Sequence, residues 1–271
     1  MLETLQFEFM RNAMIAGLLV SVTCGVMGSF VVVNRLAFLS GGIAHAAYGG
    51  IGLAFFFGLH YTLSTLSFSL LIALLMAAVT LKSKQRSDTI IGVLWAIGMA
   101  LGVILLDLTP GYNVDLMSFL FGSILAVPQS DLWLMFILCA VIIFIVVFLY
   151  NDLVAFSYDE QFARVRGVSV PFLHFLLVSM IALSVVMIIR VVGLILVIAL
   201  LTIAPYIAEG YSTSLRKMII ISILLNCLFT MVGLWLSYTF NLTSGATIIM
   251  VAGCCFFVSL IVERLKYRSI S

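Results

Sequence analysis

Two stretches of this sequence, 36–81 and 218–262, each run for more than forty residues without one Asp, Glu, Lys or Arg. A helix needs about 20 apolar residues to cross the hydrocarbon core of a bilayer, so each stretch is long enough for two crossings. Shorter charge-free runs add others. Residues 12–34 form a first span; 36–81 divides into about 38–58 and 61–81, joined near Gly58-Leu59-His60. Further spans fall at about 89–106 and 131–150. Residues 168–208 hold a single charge, Arg190, and read as a helical hairpin of two spans; 218–262 splits near Asn241–Gly245 into two more. The count is nine, or eight if the part near 191–209 does not cross fully. Composition agrees, with 64% hydrophobic and 9% charged residues against roughly 25% charged in soluble domains. The fold class is therefore all-α, a polytopic helical bundle in a membrane, and residues 1–271 read as one membrane domain.

Lys and Arg in short loops set orientation. Lys82, Lys84 and Arg86 share one loop, Arg164 and Arg166 another, and Arg216 with Lys217 a third. Counted through nine spans, these fall on one side with Arg35 and the C-terminal Arg264, Lys266 and Arg268, while Asp107, Asp115 and Asp131 fall on the other. The C-terminus is expected in the cytoplasm, with Arg190 the outlier. The start, Met1 to Glu8, lacks a basic region or cleavage site, so the first apolar segment is expected to stay as a span. Val114–Val127, ending at Pro128, is expected as a short helix lying against the outer end. The five cysteines all sit in apolar runs and read as small buried hydrophobes. The thirteen methionines, scattered without ligand-like spacing, read as packing.

The sequence holds no phosphate-binding GxxxxGK[ST] loop, no HExxH and no CxxC, and no basic stretch interleaved with aromatics that would point to nucleic acid. Pumping would need a partner's energy or an ion gradient. The largest inward segment is 151–171. There Ser157 or Asp159 can cap a short helix, Gly167 can end it, and Pro171 can open the next span. A solvated loop and a partner-docking helix both fit this pattern.

Asp159-Glu160-x-x-Ala163-x-x-x-Gly167-Val168, an apolar span, and then Arg-Val-Val-Gly-Leu-Ile-Leu-Val-Ile-Ala-Leu-Leu-Thr-Ile-Ala-Pro at 190–205 resemble the zinc/manganese-type permeases of ABC importers. Gly25-Val-Met-Gly-Ser-Phe-Val-Val-Val-Asn-Arg35, Leu39-Ser-Gly-Gly-Ile-Ala-His45-Ala-Ala-Tyr-Gly-Gly-Ile, Phe119-Leu-Phe-Gly-Ser-Ile-Leu125 and Ser244-Gly-Ala-Thr-Ile extend the resemblance, in order, over about residues 10–262. It implies a coupling segment at about 155–168, with Asp159, Glu160, Ala163, Arg164 and Gly167 seated on a cytosolic ABC ATPase that hydrolyses the ATP. It implies an extracytoplasmic metal-binding protein, a second permease copy, identical or paralogous, and a place in the bacterial plasma (inner) membrane among lipid. The chain would be no enzyme and would hold no covalent cofactor. Its cargo would be a divalent metal, zinc first, manganese second, with iron open.

His45 stands at the family's histidine in the second span. An ionisable side chain inside a membrane marks a functional site, and neutral imidazole suits zinc, manganese or iron. A lone helix histidine bonded to a carbonyl is the plainer reading without the resemblance. Two family carboxylates are absent: Gly41 stands one turn before His45, and Asn241 stands where an aspartate often precedes the last span. His45 and Asn241 are the candidates for the metal path. Gly41, Gly42, Gly49 and Gly50 give the second span a small face for close helix packing. A stand-alone secondary transporter or channel is the rival; it calls for ionisable residues on several mid-membrane helices, where this sequence offers little beyond His45.

Overall fold

A computed structural model of the chain describes residues 7–82, 86–110, 122, 124 and 127–268. The helices are α1 (Glu8–Val33), α2 (Ala37–Phe57), α3 (Tyr61–Lys82), α4 (Ser87–Asp107), α5 (Gln129–Phe148), α6 (Tyr150–Tyr158) and α7 (Glu160–Val165). They continue as α8 (Val170–Ile189), α9 (Val192–Gly210), α10 (Leu215–Phe240) and α11 (Ser244–Arg268). Among the described residues nine helices are long and apolar enough to cross a membrane: all except α6 and α7. Most of the expected segment 114–127, with Asp115, lies outside the described residues.

The expected hairpin at 168–208 is where backbone geometry matters most. Helical hydrogen bonding runs almost unbroken from Val170 to Gly210, but Gly193 sits at φ 76° and ψ 173°. A side chain rarely tolerates that conformation, whereas glycine does. A straight helix of 41 residues would be about 60 Å long, twice the hydrocarbon thickness. The chain instead doubles back. α8 begins directly after α7, and the far end of α9 returns to the same end of the bundle. There Glu209, after burial, helps raise the Tyr158 phenol above its ordinary pKa. Val192–Gly210 supplies the ninth span, so nine replaces the alternative of eight.

α1, α2, α8 and α9 are the most buried of the nine, while α4, α5 and α11 expose most of their surface. The central helices meet through small residues. Gly17, Ser21, Gly25 and Ser29 recur every fourth residue along α1 and face Ser222, Asn226 and Thr230 on α10. Ser21 Oγ lies 3.2 Å from Thr230 Oγ1, and Ser29 donates to Ser222 Oγ at 3.3 Å. The hydroxyl protons also turn back to the helix, as from Ser21 to the Gly17 carbonyl and Ser222 to that of Met218, each at 2.7 Å. That pairs the hydroxyls of Ser21, Ser29, Ser222 and Thr230 along this seam. Asn226, fully buried, donates to the Leu200 carbonyl at 3.2 Å and ties α10 to α9. Pro205 has no N–H for the Leu201 carbonyl one turn back, and this buried stretch of backbone packs against Gly28 of α1. A Cβ on Gly28 would stand 2.6 Å from the Leu201 oxygen.

The outward surface is apolar. Phe144, Val147, Phe148, Trp133, Met250 and Phe257 are each at least 65% exposed, a pattern that hydrocarbon solvates and water does not. Among the described residues all cysteines are free, and Cys24 and Cys139 are buried.

Candidate functional site

From Leu39 to Gly52 every residue of α2 is buried except His45. The reason lies in the small residues around it, which draw three helices onto α2. A Cβ on Gly41 would meet Ile198 Cδ1 of α9 at 2.9 Å, and one on Gly42 would meet Ile91 Cγ2 of α4 at 2.7 Å. On Gly49 it would fall 2.6 Å from Phe68 and 3.0 Å from the Gly98 carbonyl; on Gly50, 2.8 Å from Thr65 Cα of α3. The small face is used inside the chain, Gly41 against α9, Gly42 and Gly49 against α4, and Gly49 with Gly50 against Phe68 of α3. The α2–α4 contact is the closest, with Gly98 of α4 against Ala46 (2.8 Å from a Cβ to Ala46 Cα) and Gly102 against Gly52 and Tyr48.

That register places Trp95 over His45. The ring centroids are 4.3 Å apart and the planes differ by 12°. Phe38 flanks the indole at 6.0 Å, and the indole N–H donates one turn along to Met99 Sδ at 3.4 Å. No protein group bonds His45 Nδ1, which is buried, while the residue as a whole stays partly exposed. His45 lies eight residues into α2, about 12 Å along its axis from Ala37. Trp95 escaped the sequence reading. Its signal was the spacing Ile91, Trp95, Gly98, Gly102, which sets the indole among residues of one helix face.

Asn241 lies at another depth. It is exposed, caps the far end of α10 at φ 52°, and donates its backbone N–H to the Ser237 carbonyl. Ser237 in turn donates to the Leu242 carbonyl at 2.6 Å. That end of the bundle also holds Gly58 at the end of α2, Asp107 and Asp131. His45 is about 18 Å short of the same end along α2, so the two residues do not share one cation position. Among the described residues no three His, Cys, Asp or Glu side chains gather as a metal cluster. His60 is exposed, and His174 Nε2 lies 2.8 Å from Thr80 Oγ1, joining α8 to α3.

The opposite, basic end carries α6 and α7. Within the coupling segment expected at about 155–168, α6 ends and α7 begins at Asp159, whose backbone is extended (φ −152°, ψ 98°). Asp159, rather than Ser157, is the cap, accepting from the amides of Gln161 at 2.9 Å and Phe162 at 3.0 Å. Ser157 accepts instead from Asn34 Nδ2 at 2.9 Å, which fastens α6 to the end of α1. Glu160 stands in the first turn of α7 and Arg164 in the last, matching the helix dipole. Gly167, at φ 80°, ends the turn, and the Val168 amide donates to the Ala163 carbonyl at 3.0 Å. Ala163 alone of α7 faces inward, fully buried; Phe162 is 53% and Val165 88% exposed.

Residues 6–263 match the ABC 3 transport family. The chain belongs to that family. It is 51% identical over 264 residues, 97% of this chain and 94% of the relative, to a protein of Synechocystis described as an uncharacterised membrane protein. It is 32% identical over 255 residues to the manganese transport system membrane protein MntC of Listeria monocytogenes, covering 94% of this chain and 91% of the relative. Among solved structures, PsaBC of Streptococcus pneumoniae in complex with Fab superimposes with a TM-score of 0.86 at 32% identity, over 95% of this chain and 93% of that one. The chain is thus a multi-pass membrane protein of a bacterial metal-type ABC permease family, with the fold of that family.

Proposed function

We propose that this chain is the membrane-spanning subunit of an ATP-driven importer for a divalent metal, with manganese as the first candidate and zinc the second. The order reverses the one expected from the sequence because relatives such as MntC and the streptococcal ScaB are named for manganese. The observation that carries the reading is His45, the one partly open residue in a closed stretch of α2, with a ring nitrogen that no protein group bonds. A single imidazole holds a cation weakly, as a conduit requires, since an ion bound tightly does not leave. Asn241, Asp107 and Asp131 stand at the far end, where a metal handed over by an extracytoplasmic binding protein would first meet the bundle. His45 is a deeper station on the path, reached in the company of a second permease copy.

At the basic end, α7 is built to dock. Asp159 shapes the turn, Ala163 seats it against the bundle, and Glu160, Arg164 and Gly167 fix its ends, leaving Phe162 and Val165 for a cytosolic ATPase. ATP hydrolysis belongs to that partner. The basic residues and the C-terminus face the cytoplasm in this reading.

The test is the metal content, by mass spectrometry, of chelator-starved cells expressing the transporter with its ATPase and binding protein. Manganese, zinc and iron are each resupplied alone to wild type and His45→Ala. One metal is expected to accumulate in wild type and to fall at least tenfold in the variant, by analogy with the loss on disturbing a metal ligand's surroundings. Equal accumulation in both would remove His45 from the path, and accumulation without any ATPase would favour a secondary transporter.

A further inference from the structure

We propose that Trp95 is the residue that positions His45 for the passing metal, taking the role that a hydrogen bond usually has. This rests on the reading of His45 as a station on the metal path. Metal-binding histidines almost always donate the second ring N–H to a carboxylate, carbonyl or water, which sets the ring's orientation. Here no protein group bonds Nδ1, which is buried. Left to itself, the ring could turn about its last torsion, whose wells are broad.

The near-parallel stack, 4.3 Å between centroids and 12° between planes, supplies the missing constraint. It covers one face of the imidazole, keeps Nδ1 turned in, and leaves Nε2 as the nitrogen that a cation can reach. Trp95 is itself fixed from three directions. Gly98 and Gly102 lock α4 on α2 without room for adjustment, Met99 Sδ takes the indole N–H, and the Phe38 ring lies 6.0 Å from the indole, tilted by 52°.

Stacking also suits a site that must let go. A carboxylate bonded to Nδ1 would raise the ligand's basicity and tighten metal binding; an indole face orients the ring without adding that negative charge. A cation at Nε2 makes the imidazole electron-poor, which favours the electron-rich indole beneath it. Trp95 therefore orients the ligand most firmly when metal is present.

The variants are Trp95→Leu, which fills space but cannot stack, and Trp95→Phe, which can. Both are placed in the assembled transporter, and metal uptake is followed against manganese concentration. Trp95→Leu is expected to raise KM about tenfold or more, in the range typical for loss of an orienting partner, with kcat changed much less. Trp95→Phe is expected to restore most of it. Alongside, solid-state NMR is recorded in lipid on the complex with 13C-labelled histidine in this chain alone. Of its three histidines, His45 is assigned by its loss in His45→Ala. Its ring protons are expected upfield in wild type and at ordinary positions in Trp95→Leu. Wild-type KM in Trp95→Leu, or no upfield shift in wild type, overturns the proposal. Loss of uptake in His45→Ala with a normal Trp95→Leu would defeat only the role of Trp95. Unchanged uptake in His45→Ala, with the upfield shift in place, would defeat the metal path and this proposal with it.

Discussion

His45 and Asp159 show how one side chain acquires a role from its surroundings rather than its type. The imidazole has Nδ1 buried without a protein partner while the residue as a whole stays partly exposed, so the packing seals one of its two ring nitrogens. Asp159 is an exposed carboxylate whose work is local: two amide hydrogens at 2.9 and 3.0 Å. Replacing it with Ala removes the oxygen that accepts from both amides and is expected to destabilise α7 by about 1 kcal/mol. Hydrogen exchange at Gln161 and Phe162 measures this; faster exchange in Asp159→Ala, with protection kept in Asp159→Asn, is the expected result. If α7 is the docking element, ATP hydrolysis in Asp159→Ala should also respond less to the binding protein, while the Asn variant stays coupled.

Pairs of helices are held by absence of bulk more than by specific bonds. Lipid tails solvate a leucine as well as another helix does, so association in a membrane depends on close approach. At Gly98 the room for a side chain is already taken by Ala46. Gly98→Val is expected to force α4 away from α2 and to cost about 1–3 kcal/mol, read as a lower melting temperature of the purified protein in detergent. It should also disturb the Trp95 stack, because α4 carries the indole. Gly193 poses a different constraint. At φ 76° a Cβ is strained, and Gly122 packs against its backbone nitrogen. Gly193→Ala is expected to reduce the amount of folded protein in the membrane, measured by its resistance to proteolysis, where Ala at the open Gly92 should not.

For the whole molecule, the apolar belt and the segregation of charge decide placement. Phe144, Phe148 and Phe257 need hydrocarbon around them, and most of the basic residues, Arg11 and Arg190 apart, gather at the end that bears α6 and α7. Fusing a reporter that is active only in the cytoplasm to the C-terminus is expected to give full activity. An inactive fusion, with activity from one placed at Gly58 instead, would invert the orientation. The same basic end is where Asn34, Ser157, Thr80 and His174 tie α1, α6, α3 and α8 together.

Much of this was open to a reader of the sequence. Charge-free runs of known length mark spans because the bilayer has one thickness, and those boundaries agree with the helices to within a few residues, from 38–58 against Ala37–Phe57 to 89–106 against Ser87–Asp107. Gly167 announced a turn, and Ser157 or Asp159 a cap, through local stereochemistry; the structure decides for Asp159. His45 stood out because an ionisable group is costly in hydrocarbon. Tertiary structure decided what depends on residues distant in the chain: that Asn241 caps a helix at another depth, that Ser157 serves α1, that Gly41 and Gly42 face different helices, and that Trp95 lies on His45. Contacts of that kind follow from which helix faces meet. In a bundle where nearly every face is apolar, periodicity carries too little contrast to say which ones do.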